Sequence, residues 1–227
     1  MKTNLFAFLA VLFLLSSCTR TESIEEEITE TSFFNLKVGN EWVYKTYDRI
    51  DFTSDLKFNG RIDSLKIVGE VTLNNKSYSK VKHIKRNVNA PGSSYENPPA
   101  YYEYWRVNDK GHLLNLSAAN FDQGNSSDEV EEVKHAGRDI DFSHIDKSYY
   151  GDVVYKLYPK TNVTVNNQTH EVIPYNGQFT PNSQFPNIIP KIQENNYKAG
   201  LGLVKTICHS FEGTYNYEEH LESYSLK

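Results

Sequence analysis

Apolar and polar positions fall into two regimes along the 227 residues. Residues 5–15 form an unbroken run of Leu, Phe, Ala and Val behind Lys2. That run is shorter than the roughly 20 apolar residues a membrane-spanning helix needs. A basic start, a short apolar stretch and small residues behind it read as a secretory signal peptide over residues 1–17. Residues 18–32 are polar, with Glu22, Glu25, Glu26, Glu27 and Glu30, and predict a flexible acidic tether with too little apolar content to fold alone. From residue 33 onward the pattern changes to short stretches of period two. Leu65, Ile67, Val71 and Leu73 alternate with Ser64, Lys66, Glu70 and Thr72, predicting a strand over 64–73 with one face in a core. Asn74-Asn75 and renewed strand chemistry over 78–85 complete a hairpin. After a turn at Gly39-Asn40, Trp42, Tyr44 and Thr46 share one face of an opening strand.

The rest of the chain continues in the same way. A strand over 101–108, a turn at Asp109-Lys110-Gly111 and a strand over 112–117 predict a second hairpin. Residues 128–135 carry the charges of an edge strand. A strand over 152–158 precedes a third hairpin, whose arms 163–165 and 169–173 flank Asn166-Asn167, and residues 201–211 and 215–226 make a last one. Residues 87–99 and 118–127 read as loops, 137–151 as loop or short helix, and 174–190, with four prolines, as loop or lid. With no long helix and no fixed repeat, residues 33–227 are expected to form one all-β domain. The expected architecture is an antiparallel curved sheet, sandwich or open barrel built from consecutive hairpins, with long proline-containing loops.

Composition narrows this picture. Aromatic residues make up 13% of the chain, a bias that favours strands. The formal charge of −5 becomes −6 once Lys2 leaves with the signal, which argues against nucleic acid as a partner, since that calls for a clustered basic face. The two cysteines are Cys18 and Cys208. Cys208 sits in an apolar strand pattern and reads as a small buried hydrophobe, so the fold is not built on a disulfide.

Leu15-Ser16-Ser17-Cys18 resembles a bacterial lipobox. The resemblance implies diacylglyceryl transfer to the Cys18 thiol, cleavage before it and acylation of the new amine. Two or three acyl chains anchor stably where one does not. The implied location is the cell envelope, lipid-anchored, at the periplasmic face or the cell surface of an outer membrane. The membrane is then a partner through the lipid on Cys18.

Phe33-Phe34-x-Leu36-Lys37-Val38-Gly39-Asn40-x-Trp42-Val43-Tyr44 resembles the opening of many uncharacterised Bacteroidetes-type envelope lipoproteins. Gly200-Leu201-Gly202-Leu203-Val204 and the closing stretch Glu219-His220-Leu221-Glu222-Ser223-Tyr224 are similar to their C-terminal part. Asn35 replaces their usual proline before the opening leucine. The resemblance implies a β-rich domain with both chain ends in one sheet, and no particular activity.

No constellation of known chemistry stands out. Gly-x-Ser-x-Gly, Gly-x-x-x-x-Gly-Lys and His-Glu-x-x-His are all missing from the sequence, and no motif calls for a cofactor. Asp139, Asp141, His144 and Asp146 are the densest candidate metal ligands. They lack the spacing of an EF-hand and read instead as a solvated turn, with Ile140, Phe142 and Ile145 facing the core. Glu218 and Glu222 share a face with His220, with Glu219 opposite, and read as an exposed strand face rather than a catalytic pair. Tyr101, Tyr102, Tyr104 and Trp105 are the strongest aromatic cluster, able to stack a ligand or to pack a core. The expected role is a non-catalytic envelope module that binds a small apolar ligand, a glycan or an envelope protein. The alternative is a cell-envelope hydrolase acting on glycan or peptide.

Overall fold

The computed structural model describes residues 33–49, 55–89, 97–126, 131–187, 192–209 and 216–227. The predicted signal peptide, Cys18 and the acidic tether lie outside these residues, as do most of the expected loop 87–99 and the turn at 212–214. Among the described residues, thirteen strands and one short helix follow in order: β1 Glu41–Arg49, β2 Lys57–Leu73, β3 Lys76–Asn87, β4 Tyr101–Val107, β5 Leu113–Ser117, α1 Ala118–Asp122, β6 Glu132–His135, β7 Ser143–Lys147, β8 Gly151–Leu157, β9 Thr161–Val165, β10 Gln168–Pro181, β11 Ile192–Lys198, β12 Gly202–His209 and β13 Asn216–Ser225. They form one antiparallel sheet in the order β6-β5-β4-β3-β2-β1-β13-β12-β11-β10-β8-β7, with β9 paired to β10 off that path. The sheet is curved and not closed into a barrel. Its first and last strands are neighbours at the centre, with Trp42 opposite Tyr224 and Tyr44 opposite Leu221.

The main core lies on the concave face. Trp42, Tyr44, Leu65, Ile67, Val81, Val204 and Leu221 are buried there, covered by Val165 and Val172 of the β9–β10 hairpin, which folds over the sheet. A second cluster joins Phe33 and Phe34 to Leu113, Leu157, Ile173, Tyr175 and Tyr197. Asn40 fastens the lead-in: its side chain donates to Asn35 O at 2.9 Å and accepts from Lys227 N at 2.8 Å, tying both ends of the domain together.

The strand over 64–73 is longer than its alternation suggests and does not keep one face. The pairing of β2 with β3 slips between Ile67 and Gly69, so Val68 is an extra residue. Such a bulge reverses the phase of the side chains that follow. Leu65 and Ile67 therefore enter the concave core, while Val71 and Leu73 pack on the opposite face with Tyr78, Tyr104 and Leu116.

Several expected loops carry structure instead. Within 118–127, Ser117 caps α1 by accepting from Asn120 N at 3.2 Å, and Phe121 stacks on Tyr104 with ring centroids 3.8 Å apart. Residues 137–151 contain β7, an edge strand, rather than a helix, and Ile140 and Ile145 are exposed; only Phe142 packs inward. Within 174–190, β10 runs on to Pro181. Pro174 is tolerated because it sits where one neighbour of β10 gives way from β9 to β8, a point at which a missing N–H costs no ladder bond on that side. Strand β11 was not anticipated: Gln193, Glu194, Asn195 and Asn196 give it no apolar alternation.

Candidate ligand-binding site

The concave face is not filled throughout. Between the lead-in and strands β1 to β4, β12 and β13 lies a well of about 210 Å³. The floor is largely apolar because the polar tips of Trp42 and Tyr44 are used elsewhere. The Trp42 indole N–H donates to Leu201 O at 2.6 Å, and the Tyr44 hydroxyl donates to Leu203 O at 3.0 Å. Their rings, with Leu65, Leu203 and Tyr197, present carbon to the space. Burial holds the Tyr44 hydroxyl well above its usual pKa of 10.0, with further contributions from Tyr197, Glu219 and Asp63, so it stays a neutral donor.

The rim is charged in both signs. His83 points from β3 toward the well with Nδ1 3.3 Å from Asp63 and Nε2 3.5 Å from Glu103. Its ring lies flat on Tyr101, centroids 4.6 Å apart. Burial opposes a charge on His83, but the hydrogen bonds and charges of Asp63 and Glu103 together outweigh it and raise the pKa. Glu103 mirrors this. Burial alone would raise it, yet His83, Lys134 at 3.2 Å and the Trp105 indole N–H at 2.8 Å hold it well below the usual carboxylate range. Lys85 lies 4.0 Å from Asp63. Glu219 differs from the other rim acids. It has no hydrogen bond or ion pair among the described residues, and burial, then the charge of Asp63, raises its pKa.

The well opens into wider hollows. A polar cleft of about 850 Å³ shares Lys134, Tyr197, Leu203 and Glu219 with it, and a hollow of about 460 Å³ shares Asp63, Lys85 and Glu219. Residues of both terminal strands, Lys134 of β6 and His144 of β7, border the cleft, so the sheet curls until its two edges flank one space.

Strand alternation divides the aromatic cluster of β4. Tyr101 and Trp105 line the well. Tyr102 and Tyr104 lie on the opposite face, Tyr102 beneath Lys80 Nζ at 4.3 Å and Tyr104 against Phe121. The acidic group around 139–146 also separates. Asp139 lies 3.4 Å from His112, Asp141 belongs to an exposed turn, and His144 pairs with Asp146 at 2.6 Å. No three His, Cys, Asp or Glu side chains among the described residues are grouped to hold a metal ion. Cys208 is half-buried in β12.

The C-terminal glutamates depart from the expected exposed face. Glu218 and His220 are buried, and Glu218 takes ion pairs from Arg49 at 3.0 Å, Lys205 at 2.8 Å and His220 at 2.8 Å. Burial pushes its pKa up, but these partners pull it down to about 2. Glu222 pairs with Lys45 at 2.6 Å near the surface. Residue-level reading missed Asp63, His83 and Lys85 as site residues, and placed Glu219 only on the face opposite Glu218 and Glu222. The available signal was cross-strand rather than local: Leu65 pairs with His83 and His83 with Tyr101, so these groups converge only once β2, β3 and β4 are set side by side.

No family model and no curated protein matches the chain. Among solved structures, a candidate lipoprotein from Parabacteroides distasonis is similar to it with a TM-score of 0.50 at 14% identity, over 85% of this chain and 98% of that one. A candidate exported protein with a YmcC-like fold from Bacteroides fragilis gives a TM-score of 0.46 at 10% identity, again over 85% and 98%. The first likeness extends through nearly the whole of that protein and is one of fold.

Proposed function

We propose that this chain is an envelope lipoprotein, held by lipid on Cys18, whose concave face binds a small amphipathic ligand without chemical conversion. The observation that carries the binding half is the well itself: an aromatic floor in which the polar tips of Trp42 and Tyr44 are already bonded, beneath a rim of fixed charged groups. The anchoring half rests on the lipobox-like Leu15-Ser16-Ser17-Cys18. The description of the Parabacteroides protein as a candidate lipoprotein supports it. A docking module for an envelope protein would call for a filled core and an exposed apolar patch, and the open well favours the small ligand.

The chain has two tryptophans, and both border the well. Titration with cyclohexanol, an apolar ring carrying one hydroxyl, should move both indole N–H signals in ¹⁵N NMR saturably. Leu203→Trp, which fills the well, should abolish the response; unmoved indoles in the wild-type chain would refute the reading. One observation favours a hydrolase instead: Asp63, Glu103, His83 and Glu219 border the same space. Turnover of aryl glycosides or short peptides, lost in Glu219→Gln, would establish that reading in place of simple binding.

A further inference from the structure

The balance of charge around the well says what kind of ligand it suits. The rim holds three acids, Asp63, Glu103 and Glu219, against Lys85, Lys134 and His83. An anionic ligand would face three carboxyl groups, and a cationic one would face two ammonium groups and an imidazole. Net charge is therefore not what the rim selects.

Hydrogen-bond bookkeeping is more discriminating. Glu103 uses Oε2 toward Lys134 and the Trp105 indole N–H, with His83 Nε2 3.5 Å from the same oxygen. Asp63 uses Oδ2 toward His83 and Lys85, while its Oδ1 is buried and has no hydrogen-bond partner. The carboxyl of Glu219 has none among the described residues, and it stands where the well meets both wider hollows. Asp63 opposes Tyr44 from β2, and Glu219 opposes Thr46 from β13, so β1 holds the two acceptors on either side of one strand. Asp63 Oδ1 is a buried acceptor left unpaired, which is costly, and the half-buried Glu219 offers a second open acceptor beside it, so the complementary ligand supplies donors. Those donors should add no net charge, and they must sit on a carbon skeleton that can lie against Trp42 and Leu203. Hydroxyl groups on a ring of C–H bonds meet all of these requirements. Lys85 and Lys134 add donors of their own for ring and hydroxyl oxygens.

Resting on the well as the binding site, we propose that its ligand is a neutral saccharide unit, with hydroxyls donating to Asp63 Oδ1 and Glu219 and an apolar ring face on Trp42 and Leu203. The two wider hollows give the rest of a longer glycan room to leave the well in either direction along the concave face.

The test uses the same indole N–H signals with glucose, galactose, fucose and N-acetylglucosamine, beside cyclohexanol and N-acetylalanine amide. At least one sugar should shift both indoles saturably. Glu219→Gln should weaken that sugar at least about tenfold, as loss of a hydrogen bond to a charged acceptor does, and weaken cyclohexanol, with its single hydroxyl, by less than it weakens the sugar. Asp63→Asn should act in the same direction. Cyclohexanol binding with no response to any sugar overturns the saccharide assignment and leaves the well intact as a site. Preferential binding of N-acetylalanine amide, or sugar binding indifferent to both substitutions, overturns it as well. If cyclohexanol also fails to bind, the site reading falls with it.

Discussion

At the residue scale, His83 does the most to organise the rim. Its imidazole ties β3 to Asp63 of β2 and Glu103 of β4 and lies flat on Tyr101. Its folded-state pKa is raised above the ordinary 6.5. Its stabilising contribution is therefore full below that value and fades as pH rises through the folded-state pKa. Glu103, depressed from 4.5, contributes in the opposite sense: its effect is full above its ordinary value and lost as pH falls through the folded one. The urea midpoint of the wild type should exceed that of His83→Gln most clearly near pH 6, and the gap should narrow by pH 9. A gap that widens toward alkaline pH would contradict this assignment.

At the scale of elements, the hairpin turns show why asparagine stands where glycine is the commoner choice. Asn74, Asn75, Asn166 and Asn167 all have positive φ, between 48° and 63°. That is the geometry of a two-residue turn whose twist matches the strands. The first asparagine of each pair also clamps another element. Asn74 Nδ2 donates to Gly124 O at 3.0 Å and Ser126 Oγ at 2.9 Å, and Asn166 Nδ2 donates to Leu221 O at 3.0 Å and Glu222 at 3.2 Å. Asn167→Gly should leave the melting temperature unchanged or slightly raised. Asn166→Gly should cost about 1 kcal/mol by releasing the β9–β10 hairpin from β13. Equal effects from the two substitutions, read by calorimetry, would remove the clamp from the account.

Elements of this kind were legible in the sequence because turn chemistry and alternation are local. Asn74-Asn75, Asp109-Lys110-Gly111 and Asn166-Asn167 each mark a hairpin that forms. The bulge at Val68 was not legible, since nothing in the alternation of β2 marks an extra residue, and it sends half of an apparently uniform stripe to the other face. Strand β11 was hidden because Gln193 and Asn195, on the face that borders a hollow of the concave side, need no apolar period. The site was half legible for the same reason. Tyr101 and Trp105 belong to an aromatic cluster that attracts notice, while Asp63, His83 and Glu219 are ordinary polar positions until three separate strands bring them together.

At the scale of the whole molecule, pairing of β1 with β13 places both ends of the domain at the centre of the sheet, and the two halves curl outward from them. A binding face formed this way depends on curvature rather than on closure, which leaves the concave side reachable. The mature N-terminus proposed here begins at Cys18, and mass spectrometry of the protein from its native membrane should find that residue diacylglycerated. An unlipidated Cys18, or cleavage at another residue, would remove the anchor and leave the binding face as it is. The central claim is that the hollow beneath His83 and Glu219 is the site of binding. It is met most directly by the cyclohexanol titration read over all backbone amides. The account predicts the largest saturable shifts around Trp42 and Tyr44 of β1, Asp63 to Leu65 of β2 and Leu203 of β12. Shifts centred instead on the exposed Tyr149 and Tyr150 and the half-buried Phe185, whose ring centroids lie 5.1 to 5.4 Å from one another and which do not line the well, would contradict it.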